Sequence, residues 1–299
     1  MQAPWVDRAG RFSWLKATTL LLCCLPAINL GVVALVWGLG PRPLNTATHE
    51  TGDWAIRLVL ITLAVTPARH IFNWPKLIVV RRMLGVSAMA YALLHFSLYI
   101  VDQNFILFNV AKEIATRPYL LIGFAALTGL AVLGATSTDA SIKRLGHRWA
   151  KLHRLVYLIA AVALVHDFMQ TKLDVTKAVY LSGYFSWLMS FRLLRRWQPD
   201  VGPASLAALA IAAGIATALV EVAWYGIMTG VSPLRVLAAN FDFSYEFRPA
   251  WWVLAAAAIV LILQLVWRVI GPKGRASKPP QAARRRLAPL PSETSVPNG

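Results

Sequence analysis

The sequence predicts an all-α polytopic transmembrane helix bundle, a six-helix core plus two additional C-terminal helices. Three observations carry this. Of the 299 residues, 58% are hydrophobic and only 14% charged, against about a quarter charged in an ordinary soluble domain. Several segments reach the ~20 apolar residues that cross a bilayer. Basic residues gather in alternate loops between those segments, the pattern of cytoplasmic loops.

Eight spans follow in order: 17–38, 53–70, 83–101, 118–135, 152–170, 177–193, 203–228 and 250–270. The first exceeds the 7–15 residues of a cleaved signal core, and no clear small-x-small site follows it, so it reads as a retained helix. Cys23 and Cys24 lie adjacent within it. Neighbouring cysteines do not easily pair with each other, and these read as small apolar residues. The first six spans are separated by short loops. The break "WQPDVGP" then separates the last two spans. The chain thus divides into an N-terminus (1–16), a six-helix membrane domain (17–196), a two-helix extension (203–270) and a Pro/Arg-rich basic tail (271–299) expected to be disordered.

The net charge of +17 would suit a nucleic-acid partner if it were gathered on one face, but it is not. Arg8, Arg11 and Lys16 precede span one. Arg69, Lys76, Arg81 and Arg82 separate spans two and three. Lys143, Arg144, Arg148, Lys151 and Arg154 separate four and five, and Arg192, Arg195 and Arg196 end span six. The intervening "VDQNFILFNVAKEIATR" carries two acids and two bases. The partner this distribution selects is the lipid bilayer, with both termini in the cytoplasm and no nucleic acid.

Six histidines remain to be explained. His49 in an outer loop, His147 in an inner loop and His70 at the inner end of span two read as solvated interfacial residues. His95 and His166 lie inside apolar spans, where ionisable side chains are costly and mark function. Span three enters from the cytoplasmic side near Arg82, so His95 stands about 20 Å inward at ~1.5 Å of rise per residue. Span five runs the same way. It sets His153 near the inner face and His166 in the outer half, level with His95. Two imidazoles at one depth suit a low-spin b-type haem, whose iron takes two axial nitrogens. Ala88, Ala92 and Ala163 on nearby turns leave room for a flat macrocycle. His153 is the candidate ligand of a second haem or an inner-side ligand. Its partner stays open among His70, His147, Arg81, Arg82, a flavin contact or none. On an ideal helix His153 and His166 point roughly 140° apart, so two haems on one seam require a bend, a bulge or different neighbours.

"RRMLGVSAMAYALLHFSLY" (Arg81–Tyr99), "ATHETGDWAIRLVLITLAVTPARH" (Ala47–His70) and the stretch from Thr116 to His166, with its pattern TSTxxxxxxLGxRWxxLHxxVY, resemble the MsrQ (YedZ) family. Its members are haem-binding membrane subunits of the MsrPQ methionine sulfoxide reductase system, within the ferric-reductase-like transmembrane components. The likeness covers about 10–195. It implies haem b, one or two, with the functional histidines on His95, His153 and His166. It implies an inner-membrane protein that passes electrons to a periplasmic MsrP-like molybdopterin reductase of oxidised methionines. FMN has also been associated with the family, although no segment here reads as a flavin site. The last two spans and the tail fall outside the likeness. So does Asp167, which is expected at the interface because it neighbours His166 and adjacent helical residues point apart.

No dinucleotide fingerprint is present, since "GLGPRP" lacks the third glycine and follows a membrane helix. The electron donor is therefore separate, either the quinone pool or a cytoplasmic reduced flavin (a flavin reductase). Arg82, Arg144, Arg148 and Arg154 are candidate contacts for propionates or a flavin phosphate, against the simpler reading as topology determinants snorkelling to headgroups. Glu221 in span seven is expected near the outer interface. The alternatives are a ferric or metal reductase of the same superfamily, and a transporter or scaffold. No convincing internal repeat supports a transporter.

Overall fold

The computed structural model of the chain describes residues 3–6, 9–171, 174–244 and 246–270. Arg8 and the basic tail 271–299 lie outside the described residues. Twelve helices are formed within them: α1 (Trp14–Val36), α2 (Pro43–Ile71), α3 (Arg81–Asp102), α4 (Leu107–Thr116), α5 (Pro118–Ala135), α6 (Asp139–Leu145), α7 (His147–His153), α8 (Val156–Gln170), α9 (Thr176–Trp197), α10 (Pro203–Met228), α11 (Pro233–Ala239) and α12 (Pro249–Ile270). A 3₁₀ turn over Pro75–Val80 leads into α3. Among the described residues the bundle contains no strand, only an isolated bridge between Val6 and Phe12.

Seven helical segments are long and apolar enough to cross a membrane, making this a multi-pass membrane protein. The sequence reading had eight. The helix that falls short is α9, which carries Lys177, Arg192, Arg195 and Arg196 along with serines and tyrosines. It is nevertheless a full 22-residue helix, packed against α2 and α8 on one side and α10 and α12 on the other. Its burial by protein makes low hydropathy tolerable. At Gly183 it comes so close to its neighbours that an added methyl would stand 2.7 Å from Val253 Cγ2. In lipid, where apolar side chains gain little from leaving the tails, such small-residue contacts are what hold helices together.

Other boundaries differ from expectation for local reasons. Pro43 takes the first position of α2, where its missing N–H costs nothing, so the helix starts well before 53 and includes His49. The connectors expected as loops contain α4 and α11. The fifth span is two helices, broken at Arg154–Leu155 between α7 and α8. That break removes the ideal-helix relation between His153 and His166.

Two prolines inside helices are answered from neighbouring elements. Pro67 has no N–H to offer the Leu63 carbonyl one turn earlier; Arg192 Nη2 of α9 donates to that carbonyl instead. The Arg192 guanidinium also lies 5.3 Å from the Tyr157 ring centre, a cation–π contact. At Pro26 the buried Tyr91 hydroxyl accepts from the Ala27 N–H at 2.9 Å and donates to the Cys23 carbonyl at 2.8 Å, pinning α1 to α3. Lys177 Nζ, 2.6 Å from Asp53 Oδ1, ties the start of α9 to α2.

Glu221 is not an interfacial residue. It is 1% exposed, 3.2 Å from Arg248 Nη2 and 3.1 Å from the Asn240 amide that donates to it. The Trp251 indole donates to the Asn240 carbonyl at 2.6 Å. This polar cluster fastens α10 to the segment after α11 and to the start of α12.

Candidate functional site

Four helices, α2, α3, α5 and α8, enclose a cavity of ≈ 480 Å³. Part of its wall is apolar, with Val59, Ala92, Leu127, Leu130, Ile159 and Ala163. The side chains near the starts of α2 and α5 are polar, including Arg42, Asn45, His49 and Arg117. The wall is thus amphipathic, greasy in its depth and charged at one end.

His95 and His166 face each other in this cavity. Their ring centres are 6.4 Å apart and their planes stand at 80°. Each ring is fastened to the neighbouring helix by its Nδ1, which lies 2.7 Å from the Thr48 carbonyl in His95 and 2.8 Å from the Tyr119 carbonyl in His166. A carbonyl only accepts, so each Nδ1 carries the hydrogen. In the neutral ring the lone pair is then left on Nε2, the tautomer that second-sphere carbonyls commonly enforce on metal-binding imidazoles. A glycine gives each ring its room. A methyl at Gly52 would stand 2.8 Å from His95 Nδ1, and one at Gly123 would stand 2.6 Å from His166 Cε1.

The two halves use one spacing. Thr48, Gly52 and His95 recur as Tyr119, Gly123 and His166, each 71 positions later. The carbonyl-to-histidine separation is 47 residues in both. The helix pairs α2/α3 and α5/α8 are therefore two copies of one device, which the sequence reading did not find because the repeat lies in spacing and not in residue similarity. By the same register His153 corresponds to Arg82.

Asp167 is a correction. It is 7% exposed, lines the cavity, and its Oδ2 has no hydrogen-bond partner. Successive residues on α8 both reach the cavity because α2 and α5 flank that helix on two sides. Asp53, also in the wall, is neutralised by Lys177.

The remaining candidates lie elsewhere. His153 stacks on Trp149 at 3.9 Å between ring centres. Its Nε2 is 3.2 Å from the Leu133 carbonyl and 3.3 Å from Ser137 Oγ, and its Nδ1 is 3.2 Å from the Trp149 carbonyl. Among the described residues no second imidazole stacks on His153 or bonds to it. His70 is 3.3 Å from Arg69 Nη2. Arg82 pairs with Asp139 at 2.6 Å, and Arg144, Arg148 and Arg154 are exposed and none lines the cavity.

Two arginines that the sequence reading passed over do line it. Arg42 and Arg117 each immediately precede a proline that opens a helix, Pro43 of α2 and Pro118 of α5. The same pair opens α12 at Arg248 and Pro249, where the arginine pairs with Glu221, so the dipeptide alone does not mark a cavity residue. Arg117 is held by Glu113 at 2.9 Å and by the Tyr119 hydroxyl at 3.1 Å; these contacts raise its proton affinity above the ordinary arginine value, the Tyr119 hydrogen bond foremost.

Two imidazoles with ring centres 6.4 Å apart, each held through Nδ1 and so left with a lone pair on Nε2, suit a metal ion that brings its other ligands with it. Among the described residues no group of three or more His, Cys, Asp or Glu is arranged to hold a metal alone.

Comparison with known proteins agrees in kind. The family described as "Ferric reductase like transmembrane component" matches residues 51–164. "Protein-methionine-sulfoxide reductase heme-binding subunit MsrQ" of Polaromonas naphthalenivorans is 39% identical over 204 residues, 65% of this chain and 92% of the relative. The subunit of the same name from Deinococcus radiodurans is 41% identical over 168 residues, 56% of this chain and 83% of its own length. That from Agrobacterium fabrum is 40% identical over 171 residues, 57% and 79%. No solved structure matches. Identity sustained over nine-tenths of a relative makes the kinship one of whole sequences and not of a few shared histidines: the chain belongs to the MsrQ family.

Proposed function

We propose that this chain is a haem-binding electron-transfer subunit of a methionine sulfoxide reductase system, with His95 and His166 as the axial pair of one haem b. The observation that carries the reading is the 6.4 Å separation of the two rings. An imidazole nitrogen sits about 2 Å from a bound metal ion and its ring centre roughly 1 Å further, so two rings on opposite sides of one iron have centres roughly 6 Å apart. The residues fit the group. A bound haem would supply a one-electron couple. The Thr48 and Tyr119 carbonyls hold both Nε2 lone pairs inward, Gly52 and Gly123 let the rings lie against α2 and α5, and the apolar depth of the cavity excludes water.

In this reading 17–196 is the redox domain and 203–270 a separate extension in the bacterial inner membrane, both termini cytoplasmic. Electrons enter near the inner face from the quinone pool or a cytoplasmic flavin reductase and leave on the outer side to a periplasmic MsrP-like molybdopterin reductase. Relatives that are haem-binding subunits of a methionine-sulfoxide reductase support a reductase as the receiving partner, and the basic alternate loops support the orientation. His153 is assigned to the inner side, as ligand of a second haem or as a contact for an associated group such as FMN.

Oxidised and dithionite-reduced spectra of the purified protein test the reading. His95→Ala and His166→Ala are expected to abolish the same haem component, while His153→Ala leaves that component in place. A wild-type preparation without haem absorbance, or full haem in both cavity variants, overturns it.

A further inference from the structure

We propose that Arg42 and Arg117 are the carboxylate-binding residues of the cavity, so that the two haem propionates point toward the starts of α2 and α5. This rests on the haem reading above. It differs from the sequence expectation, which looked to Arg82, Arg144, Arg148 and Arg154.

The cavity wall has a direction. A porphyrin carries two carboxylates on one edge and apolar substituents on the others. Buried without partners, those carboxylates would be expensive. The apolar wall formed by residues such as Leu127, Leu130 and Ile159 offers them nothing. The charged end offers two guanidiniums, Arg42 just before α2 and Arg117 just before α5. Guanidinium forks are the side chains best matched to carboxylates, through paired charge-assisted hydrogen bonds.

The acids in the same wall sharpen the assignment. Asp53 is engaged by Lys177. Glu113 is engaged by Arg117 and by the Tyr99 hydroxyl at 2.6 Å; it orients that guanidinium, leaving further N–H donors free. Asp167 and Asp102 also line the wall, and among the described residues neither has a cation hydrogen-bonded to it. Among the described residues the Arg42 side chain has no hydrogen bond or ion pair, and it faces the cavity.

The test uses the full-length holoprotein in detergent. Arg42→Gln, Arg117→Gln and the double variant are compared with wild type by transfer of haem to excess apomyoglobin and by redox titration. Each single variant is expected to release haem about tenfold faster, the loss of one charge-assisted hydrogen bond, and to shift the midpoint potential downward. Lysine at either site restores part of the loss, which separates charge from folding. The absorption spectrum of the remaining haem stays that of the wild type, because the imidazoles are untouched. Reconstitution with haem dimethyl ester, whose carboxylates are capped, is expected to erase the difference between wild type and double variant. Wild-type release rates and potentials in the double variant overturn the inference, as does an equal loss with the ester. Haem absent from the wild type overturns instead the reading on which it rests.

Discussion

Gly123 shows how much of this site is made by atoms that are not there. A methyl at that position would enter the His166 ring at 2.6–2.9 Å, closer than side-chain carbons approach anything in a packed interior. The ring would have to turn, and turning breaks the 2.8 Å bond to the Tyr119 carbonyl. Gly123→Ala is therefore expected to lose most of the haem absorbance while the helix content by circular dichroism is unchanged. Gly52→Ala should do the same through His95, where the closest approach is 2.8 Å. If the alanine variants bind haem as wild type does, the cradle is not what sets the rings. The histidines themselves were legible in the sequence, because ionisable residues inside apolar spans stand out and span direction gives their depth. The glycines were not, since nothing in a hydropathy profile says which glycine faces a neighbour. Asp167 was misjudged for the same reason: a periodicity of 3.6 says which residues share a face, not how many sides of the helix are covered.

At the scale of elements, the polar cluster that ties α10 to the start of α12 makes a clear prediction. Glu221 is buried, and its carboxylate faces Arg248 and Asn240. Removing one partner of such a pair leaves the other charge unanswered, at a cost of about 3 kcal/mol or more. Glu221→Ala should lower the thermal midpoint in detergent measurably, and Glu221→Gln, which keeps an acceptor for Asn240, should lower it less. Equal midpoints for all three proteins would mean the cluster is hydrated and not a clasp. Length and apolarity revealed most of the helices, and span four ends where α5 does. They could not reveal α4 and α11, which are too short to register against a bilayer. Nor could they reveal the break between α7 and α8, because composition is continuous through Arg154 and Leu155.

For the whole molecule, the question is whether the proposed haem site needs its last third. All four helices around the cavity end by residue 170, and α10 and α12 meet the rest chiefly through α9. A chain ending at residue 200 is expected to insert in membranes and to keep the same haem spectrum, read after purification. Loss of haem on truncation would show that the two-helix extension is part of the core and not an addition to it. The boundary at "WQPDVGP" was visible as a run of turn residues between apolar stretches. What the extension packs against was not visible, since length and apolarity say which segments span but not which spans are neighbours.

The double fastening of each imidazole, by a carbonyl on one side and a glycine gap beneath, bears on speed as well as affinity. A centre that gains and loses one electron is slowed by whatever must move when its charge changes. Rings that are already locked in place have little left to rearrange. On the proposed haem reading, a cradle of this kind would keep the reorganisation energy of the exchange low, so that a modest driving force would be enough to move an electron on.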